Sequence, residues 1–465
     1  MKRLILLAPL LATACATMEP AFVQPNPAIP GSWPAGDPYL RQSEAALPAV
    51  TYKQIFQDPR LQALIEQALV SNRDLAVAAA NIAVARERVR IQRASQLPRL
   101  DANAGAEIRA ADDSSADASF NLGAGVSNFE IDLFGRLRSL TNAERARYFA
   151  TESGARAVRL TLVADIATAW LSHAADSSLL LISRQTAESA EKSVRLTRLR
   201  LEGGVAPRTD LRQAEQVLSQ AQADLAQQRT AVAQDVNALQ LLVGSPIDPT
   251  LLSGSIEQAA GSVVAIPPGV DSYVLLRRPD VVEAEYQLRA ANAQIGAARA
   301  ALFPRISLTG LAGLASSALT SLFTGGAFAW SAGADATYTI FQGGAGRANV
   351  RLSEAQRAAA IATYQRTVQI AFRDVADALA RRGTINDEIA ARQRQRAATA
   401  DSYLLTEARY RAGIDNFLAS LDAQRSYYSA QRLLVQTQLA AAQNAVDLYE
   451  ALGGDSLLLP PPPQP

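Results

Sequence analysis

The chain has 465 residues, 49% hydrophobic and 19% charged, with a formal net charge of +1. That balance lacks the concentrated basic surface that nucleic-acid binding needs, so no nucleic-acid partner is expected. A single cysteine and a single histidine exclude an internal disulfide and a zinc site of paired Cys and His. No catalytic set and no Walker-type phosphate loop appears, so the chain does not read as an enzyme and no metal or diffusible cofactor is expected. His173, alone in a long helical stretch, reads as a structural or solvated residue.

The N-terminus opens with Lys2 and Arg3 and an apolar run over 4–12, the pattern of a secretory signal and too short to span a bilayer. Leu11-Ala12-Thr13-Ala14-Cys15 resembles a bacterial lipoprotein signal. It predicts a signal peptide over 1–14, cleavage before Cys15 and covalent lipid on the Cys15 sulfur. Ala16 stands where Asp resembles an inner-membrane retention signal, which favours the outer membrane. Seven prolines between 20 and 48 deny helix and central strand, so residues 15–55 are expected to form an extended arm lying along the body.

A helix is predicted from Pro59 to Gln96, where Leu61, Leu64, Ile65, Ala68 and Leu69 recur at helical spacing. It stops at Leu97-Pro98-Arg99-Leu100. Residues 100–134 then alternate, as in Phe120, Leu122, Ala124 and Val126, with a polar loop at 111–119. The alternation slips near Asn128. From 139 to 202 the pattern is helical without proline, roughly 90 Å of helix at 1.5 Å per residue. A compact globule of this size has a radius of gyration of only roughly 23 Å. The molecule is therefore elongated, or that helix is broken. A turn at 203–208, with Gly204 as its stop, leads to a helix ending at Val243.

The order then repeats, which predicts two halves over 56–244 and 272–454 joined by a linker over 245–271. Residues 279–302 read as a helix ending at Phe303-Pro304-Arg305-Ile306. Strands follow within 305–341, then a helix from 347 to 411, a turn at Gly413 and a last helix to Leu452. Pro460 to Pro463 place a disordered tail at 455–465. The stretch 409–425, RYRAGIDNFLASLDAQR, has a weaker twin at 200–216, shifted by 209 residues. Leu418, Asp422 and Arg425 share one face of the last helix. Their counterparts Thr209, Gln213 and Gln216 are uncharged.

In the cleanest strand, Phe328, Trp330, Ala332, Ala334, Ala336, Tyr338 and Ile340 alternate with Ala329, Ser331, Gly333, Asp335, Thr337 and Thr339. One apolar face with aromatic ends and one polar face is the pattern of a membrane β-barrel strand. Four strands cannot close a barrel, which needs about eight, and an open edge is not tolerated in lipid. Several chains must then share one barrel, and three chains give twelve strands.

The duplication, the Leu-Pro-Arg and Phe-Pro-Arg helix ends, Asp132-Leu133-Phe134-Gly135-Arg136, Phe341-Gln342-Gly343-Gly344, Arg409-Tyr410-x-x-Gly413 and Leu421-Asp422-Ala423-Gln424-Arg425 together resemble the TolC-type outer-membrane efflux proteins, in the NodT lipoprotein branch. The resemblance implies a mainly α fold with a membrane β-barrel part: a homotrimer whose twelve-stranded barrel continues as a periplasmic α-helical barrel. It also implies a periplasmic adaptor, an inner-membrane pump of the resistance-nodulation-division (RND) kind and contact with outer-membrane lipid. At the periplasmic end, Leu418 would form an apolar constriction and Asp422 an acidic ring. Arg425, with Arg409 and Tyr410, would hold the end shut. Other readings are a conduit for type I protein secretion and a lipid-anchored periplasmic scaffold without a pore.

Overall fold

In the computed structural model of the chain the described residues are 17–26, 29–30, 33, 51–109, 117–264 and 272–455. Cys15, the signal segment and the proline-rich tail beyond 455 lie outside them. The first half begins with α1 (Tyr52–Ile55), α2 (Pro59–Ser71) and α3 (Arg73–Ala94). Strands β1 (Leu100–Arg109) and β2 (Asp117–Ile131) follow, then α4 (Arg136–Glu202) and α5 (Arg208–Val243). Short α6 (Ile256–Gly261) and two 3₁₀ segments, Pro249–Leu251 and Ser272–Arg277, make the connection. The second half is α7 (Pro279–Ala300), β3 (Arg305–Ser316), β4 (Phe328–Thr337), α8 (Ala345–Arg411) and α9 (Phe417–Ala451). Helices α4 and α8 each have 67 residues, hence about 100 Å. Each packs against the shorter helix that follows it.

The single helix expected from Pro59 to Gln96 is two. Asn72, buried and extended at ψ 136°, separates α2 from α3. Its side-chain oxygen accepts from the Leu75 N–H at 3.0 Å, and its amide donates to the Leu242 carbonyl at 2.7 Å. The break is stable because Asn72 both caps α3 and ties the end of α5. The expected arm also ends early, since α1 takes up 52–55. Its described part does run along the body. The Pro20 carbonyl accepts from Asn292 at 2.8 Å, Phe22 lies 4.7 Å under the Arg289 guanidinium, and Trp33 stacks on Phe372 at 4.9 Å.

The main core lies midway along the long helices, where α2, α6 and α7 gather around them. Trp170, Tyr364, Tyr449 and Phe56 are its largest buried side chains. The Trp170 indole N–H donates to the Leu251 carbonyl at 3.0 Å. His173 is structural: it is buried, its Nδ1 lies 3.1 Å from the Ser253 carbonyl, and burial holds its pKa below the ordinary value.

The four strands form one antiparallel sheet in chain order. Directly opposed residues share a face, so the register can be read row by row. Ala104–Leu122–Leu314–Phe328, Ala102–Ala124–Ala312–Trp330 and Leu100–Val126–Gly310–Ala332 are rows of one face. Phe129–Leu308–Ala334 and Ile131–Ile306–Ala336 continue it. The opposite face carries Asp101, Asn103, Asn121, Glu130, Ser307, Ser331, Asp335 and Thr337, with Leu311 as its large apolar exception. The slip read at Asn128 is a bulge between Val126 and Phe129, with Asn128 at φ 55°. Without it, the two ends of β2 would present their apolar residues to opposite faces. β4 ends at Thr337, so Tyr338 and Ile340 lie beyond the paired strand. β3 begins at Arg305, opposite Thr337, and leaves nothing there to pair with. Residues 117–119, read as loop, belong to β2. Among the described residues of the single chain β1 and β4 are free edges.

Candidate functional site: the paired hairpin tips

Each long helix turns back at a tip of the same build. Gly204 and Gly413 hold φ of +75° and +76°, where a side chain would be strained. The Val205 N–H donates to the Arg200 carbonyl at 2.9 Å and the Ile414 N–H to the Arg409 carbonyl at 3.0 Å. Asn416 caps α9, its side chain accepting from the Ala419 N–H at 3.1 Å. At the second tip Arg409 forks onto Asp415, with Nε and Nη2 2.6 and 2.9 Å from the two carboxylate oxygens. The hydrogen-bonded arginine lowers the Asp415 pKa, and the carboxylate raises that of Arg409.

A small core joins the two tips. Tyr410, Phe417 and Leu421 of the second meet Val194, Leu211 and Ala214 of the first. The Tyr410 and Phe417 rings lie 5.3 Å apart. Arg200 crosses between the hairpins: its Nη1 donates to the Tyr410 carbonyl at 2.9 Å, and its guanidinium stands 4.6 Å from the Tyr410 ring centre. Further from the tip the Ser189 and Tyr403 hydroxyls are 3.0 Å apart, and Tyr428 donates to Asp224 at 3.1 Å. A groove of about 910 Å³ opens between α4 and α8, lined among others by Glu188, Lys192, Glu407 and Arg411.

Leu418, Asp422 and Arg425 all lie on the exposed face of α9, while Phe417, Leu421 and Gln424 face inward. The face read from the sequence is therefore assembled. Asp422 and Arg425 make no hydrogen bond or ion pair among the described residues of the single chain. Arg409 and Tyr410 do not join them within one chain. Arg409 is held by Asp415, six residues on, and the Tyr410 ring is drawn into the apolar core. Sequence reading missed Arg200 and Asp415. The signal for Arg200 was present, since the shift of 209 residues aligns it with Arg409.

Among the described residues no cluster of His, Cys, Asp and Glu could hold a metal ion, and no helix is long and apolar enough to cross a membrane. The profile of the family described as outer membrane efflux protein matches residues 64–245 and 272–454. The chain belongs to that family. Its outer-membrane relatives match it end to end. The solvent efflux pump outer membrane protein SrpC of Pseudomonas putida is 40% identical over 465 residues, 97% of this chain and 98% of the relative. The outer membrane protein OprJ of Pseudomonas aeruginosa is 39% identical over 451 residues, 96% and 94% of the two chains. Among solved structures, the open state of the MtrE outer membrane channel of Neisseria gonorrhoeae superposes with a TM-score of 0.84 at 34% identity, covering 94% of this chain and 98% of that one. A membrane protein from Pseudomonas aeruginosa gives 0.87 at 37% identity, covering 94% and 100%. In this efflux-family chain the sheet is thus the outer-membrane part and the long helices its periplasmic extension.

Proposed function

We propose that this protein is the outer-membrane conduit of a tripartite efflux system, passing small molecules outward from an inner-membrane pump of the RND kind through a periplasmic adaptor. The observation that carries this reading is the sheet. One face is apolar across all four strands, the other is mostly polar, and both edges are unpaired. Lipid tolerates neither an open edge nor four strands alone. Three copies supply about twelve strands, enough to enclose a polar lumen. The helices leaving β2 and β4 extend that lumen by about 100 Å. Relatives named for solvent, toluene and antibiotic efflux pumps support small toxic compounds as cargo, and support pump efflux over protein secretion. The sheet's two unlike faces argue against a scaffold without a pore. Lipid on Cys15 would anchor the arm beside the barrel, since Thr17 already lies against Gly135 at the foot of α4.

The exposed face of α9 would close the periplasmic end. Three Leu418 side chains form an apolar constriction and three Asp422 carboxylates an acidic ring. The carboxylates repel one another, so Arg425 of the assembled ring must balance them. Arg409 and Tyr410 act one step back, by fixing the turn and the core that aim this face. The groove between α4 and α8 offers an adaptor a surface next to the contacts that hold the tips together. Docking that favours parted tips shifts the equilibrium to the open state. Planar-bilayer conductance of the detergent-extracted protein, with the oligomer mass on the same sample, tests the reading. A trimer with small, mostly closed conductance is expected, and a non-conducting monomer or dimer overturns it.

A further inference from the structure

The foot of the sheet, where strands pass into helices, carries a surplus of positive charge. Over 86–99, at the end of α3, five arginines meet one acid, Glu87, in a chain whose net charge is only +1. Glu87 is taken by Arg90 at 2.7 Å. Arg86 and Arg93 on α3, Arg138 in the first turn of α4, and Arg347 and Arg351 in the first two turns of α8 are all exposed. The side chains of these five make no hydrogen bond or ion pair among the described residues.

The internal repeat shows which side of the helical wall they take. Helix α3 aligns with α7 at a shift of 206, Leu97 with Phe303, and α4 aligns with α8 at a shift of 209. The N-terminal arm marks the outer side, and it lies over α4 and α7. There the Asn142 amide donates to Glu19 at 3.0 Å and the Asn292 amide to the Pro20 carbonyl at 2.8 Å. A Cβ on Gly296 would come within 2.7 Å of the Glu19 Cα, so the arm needs a glycine beneath it. The counterparts of Asn142, Asn292 and Gly296 are Arg351, Arg86 and Arg90. Arg138 and Arg347 precede Asn142 and Arg351 by four residues and share their faces, as Arg93 shares that of Arg86. Where the arm covers the outer wall, the wall is small or neutral. At the same positions away from the described arm, it is arginine.

Their level matches the edge of a bilayer. The apolar rows of the sheet end at Ile131–Ile306–Ala336, so hydrocarbon ends there. Thr17, two residues after Cys15, lies against Gly135 just below that row. The headgroup layer beyond the hydrocarbon is roughly 5–8 Å deep. Arg138 and Arg347 stand within one helical turn of the strands, and Arg93 is in the last turn of α3. A guanidinium on its flexible stem reaches several ångströms further toward the layer. Its planar fork fits a phosphate, and it acts best within a Debye length of an anionic surface, about 8 Å. We propose that these arginines form a collar that grips the phosphate headgroups of anionic glycerophospholipids, in the leaflet that takes the Cys15 lipid. The proposal rests on the membrane placement of the conduit and adds the class of lipid that it selects. The acylated arm ties one flank of each chain to the leaflet, and the collar ties the positions that the described arm leaves bare.

The test uses the full chain, detergent-extracted and reconstituted in phosphatidylcholine vesicles, with spin-labelled phosphatidylglycerol or spin-labelled phosphatidylcholine as the probe. Electron paramagnetic resonance reads the fraction of each probe held at the protein. One arginine at an anionic surface strengthens attachment roughly five-fold. Averaged over all lipid sites, the parent should hold the anionic probe at least about three-fold better, and less so as salt rises. Arg93→Gln with Arg138→Gln and Arg347→Gln should bring the ratio close to one, and the same three changed to Lys should keep most of it. Arg392→Gln with Arg394→Gln and Arg396→Gln removes equal charge roughly 70 Å along α8 and should leave the ratio unchanged. Equal retention of both probes by the parent, an unchanged ratio in the first triple, or an equal fall in the distant triple overturns the collar. A first triple that keeps the ratio but loses oligomer mass assigns these arginines to contacts between copies and overturns it too. Conductance of the same sample in planar bilayers keeps the two readings apart. A conducting parent without lipid preference overturns the collar alone, and a non-conducting parent that keeps the preference overturns the conduit alone.

Discussion

Arg200→Ala should unlock the periplasmic tips. The guanidinium makes one hydrogen bond to a carbonyl of the other hairpin and covers the face of Tyr410. A hydrogen bond from a charged donor is worth roughly 1.5–3 kcal/mol, and a part-exposed cation–π contact roughly 0.5–1 kcal/mol. Arg200 is half-buried, so solvent screens both and the lower ends apply, about 2 kcal/mol together. At 1.4 kcal/mol per factor of ten, the equilibrium between joined and parted tips moves about 30-fold. A channel open about 1% of the time would become open about 20% of the time. Single-channel recording in planar bilayers reads this directly as dwell time in the larger conductance. Arg200→Lys keeps a charge over the ring but loses the planar fork, so it should fall between the two. An unchanged open fraction in Arg200→Ala, at unchanged oligomer mass, would refute the clamp.

Replacing Asp422 and Arg425 together with alanine should raise single-channel conductance, and unchanged conductance would remove α9's exposed face from the gate. Ala332→Arg, on the apolar face, should cost about 2–4 kcal/mol near the bilayer midplane and deplete the assembled protein in outer membranes. Gly333→Arg, the next residue, meets open space on the lumen side and should assemble normally; equal loss from both would contradict the sidedness of the sheet. Asp235 on α5 has its carboxyl pushed up to about 7, first by burial and then by the Asp176 carboxyl on α4. Its folded pKa lies above the ordinary 3.8. Its contribution to stability is thus complete below that value and disappears as pH rises through about 7. Asp235→Asn should flatten the fall in denaturation midpoint between about pH 4 and 8, and an equally steep fall in the variant would assign the effect elsewhere.

Much of the architecture was legible because it is written in periodicity. The strict alternation through β4 encodes one apolar face, and the slip at Asn128 in β2 encodes a bulge that preserves it. Two glycines at equivalent places encode two like turns. What escaped has specific causes. Asn72 sits in a run whose spacing suits one helix, and its capping role depends on Leu242, 170 residues away. The end of β4 depends on where β3 begins, not on its own alternation, which continues to Ile340. At the tip, the common face of Leu418, Asp422 and Arg425 followed from helical spacing alone. The partner of Arg409 did not, because Asp415 reads locally as a helix cap and forms its fork only once the turn has folded.

The divergence of the twin tips gives a physical reason for the crossing clamp. Arg200 and Arg409 hold equivalent positions before equivalent turns. Arg409 finds an acid in its own turn, Asp415, and is satisfied locally. The counterpart of Asp415 in the first turn is Ala206, which offers nothing to a cation. A half-buried guanidinium must find acceptors or remain costly, so Arg200 reaches outward and takes the carbonyl and the ring face of Tyr410. The counterpart of Tyr410 in the first hairpin is Leu201, so no matching bond runs the other way. One duplicated turn has thus become a self-contained tip that carries the charged face, and the other a holder that grips it. Restoring an acid to the first turn, Ala206→Asp, should recapture Arg200 locally and loosen the grip without removing any residue that makes it. It should raise the open fraction as Arg200→Ala does, and an Ala206→Asp channel as closed as the parent would show that the local acid is not what decides where this arginine goes.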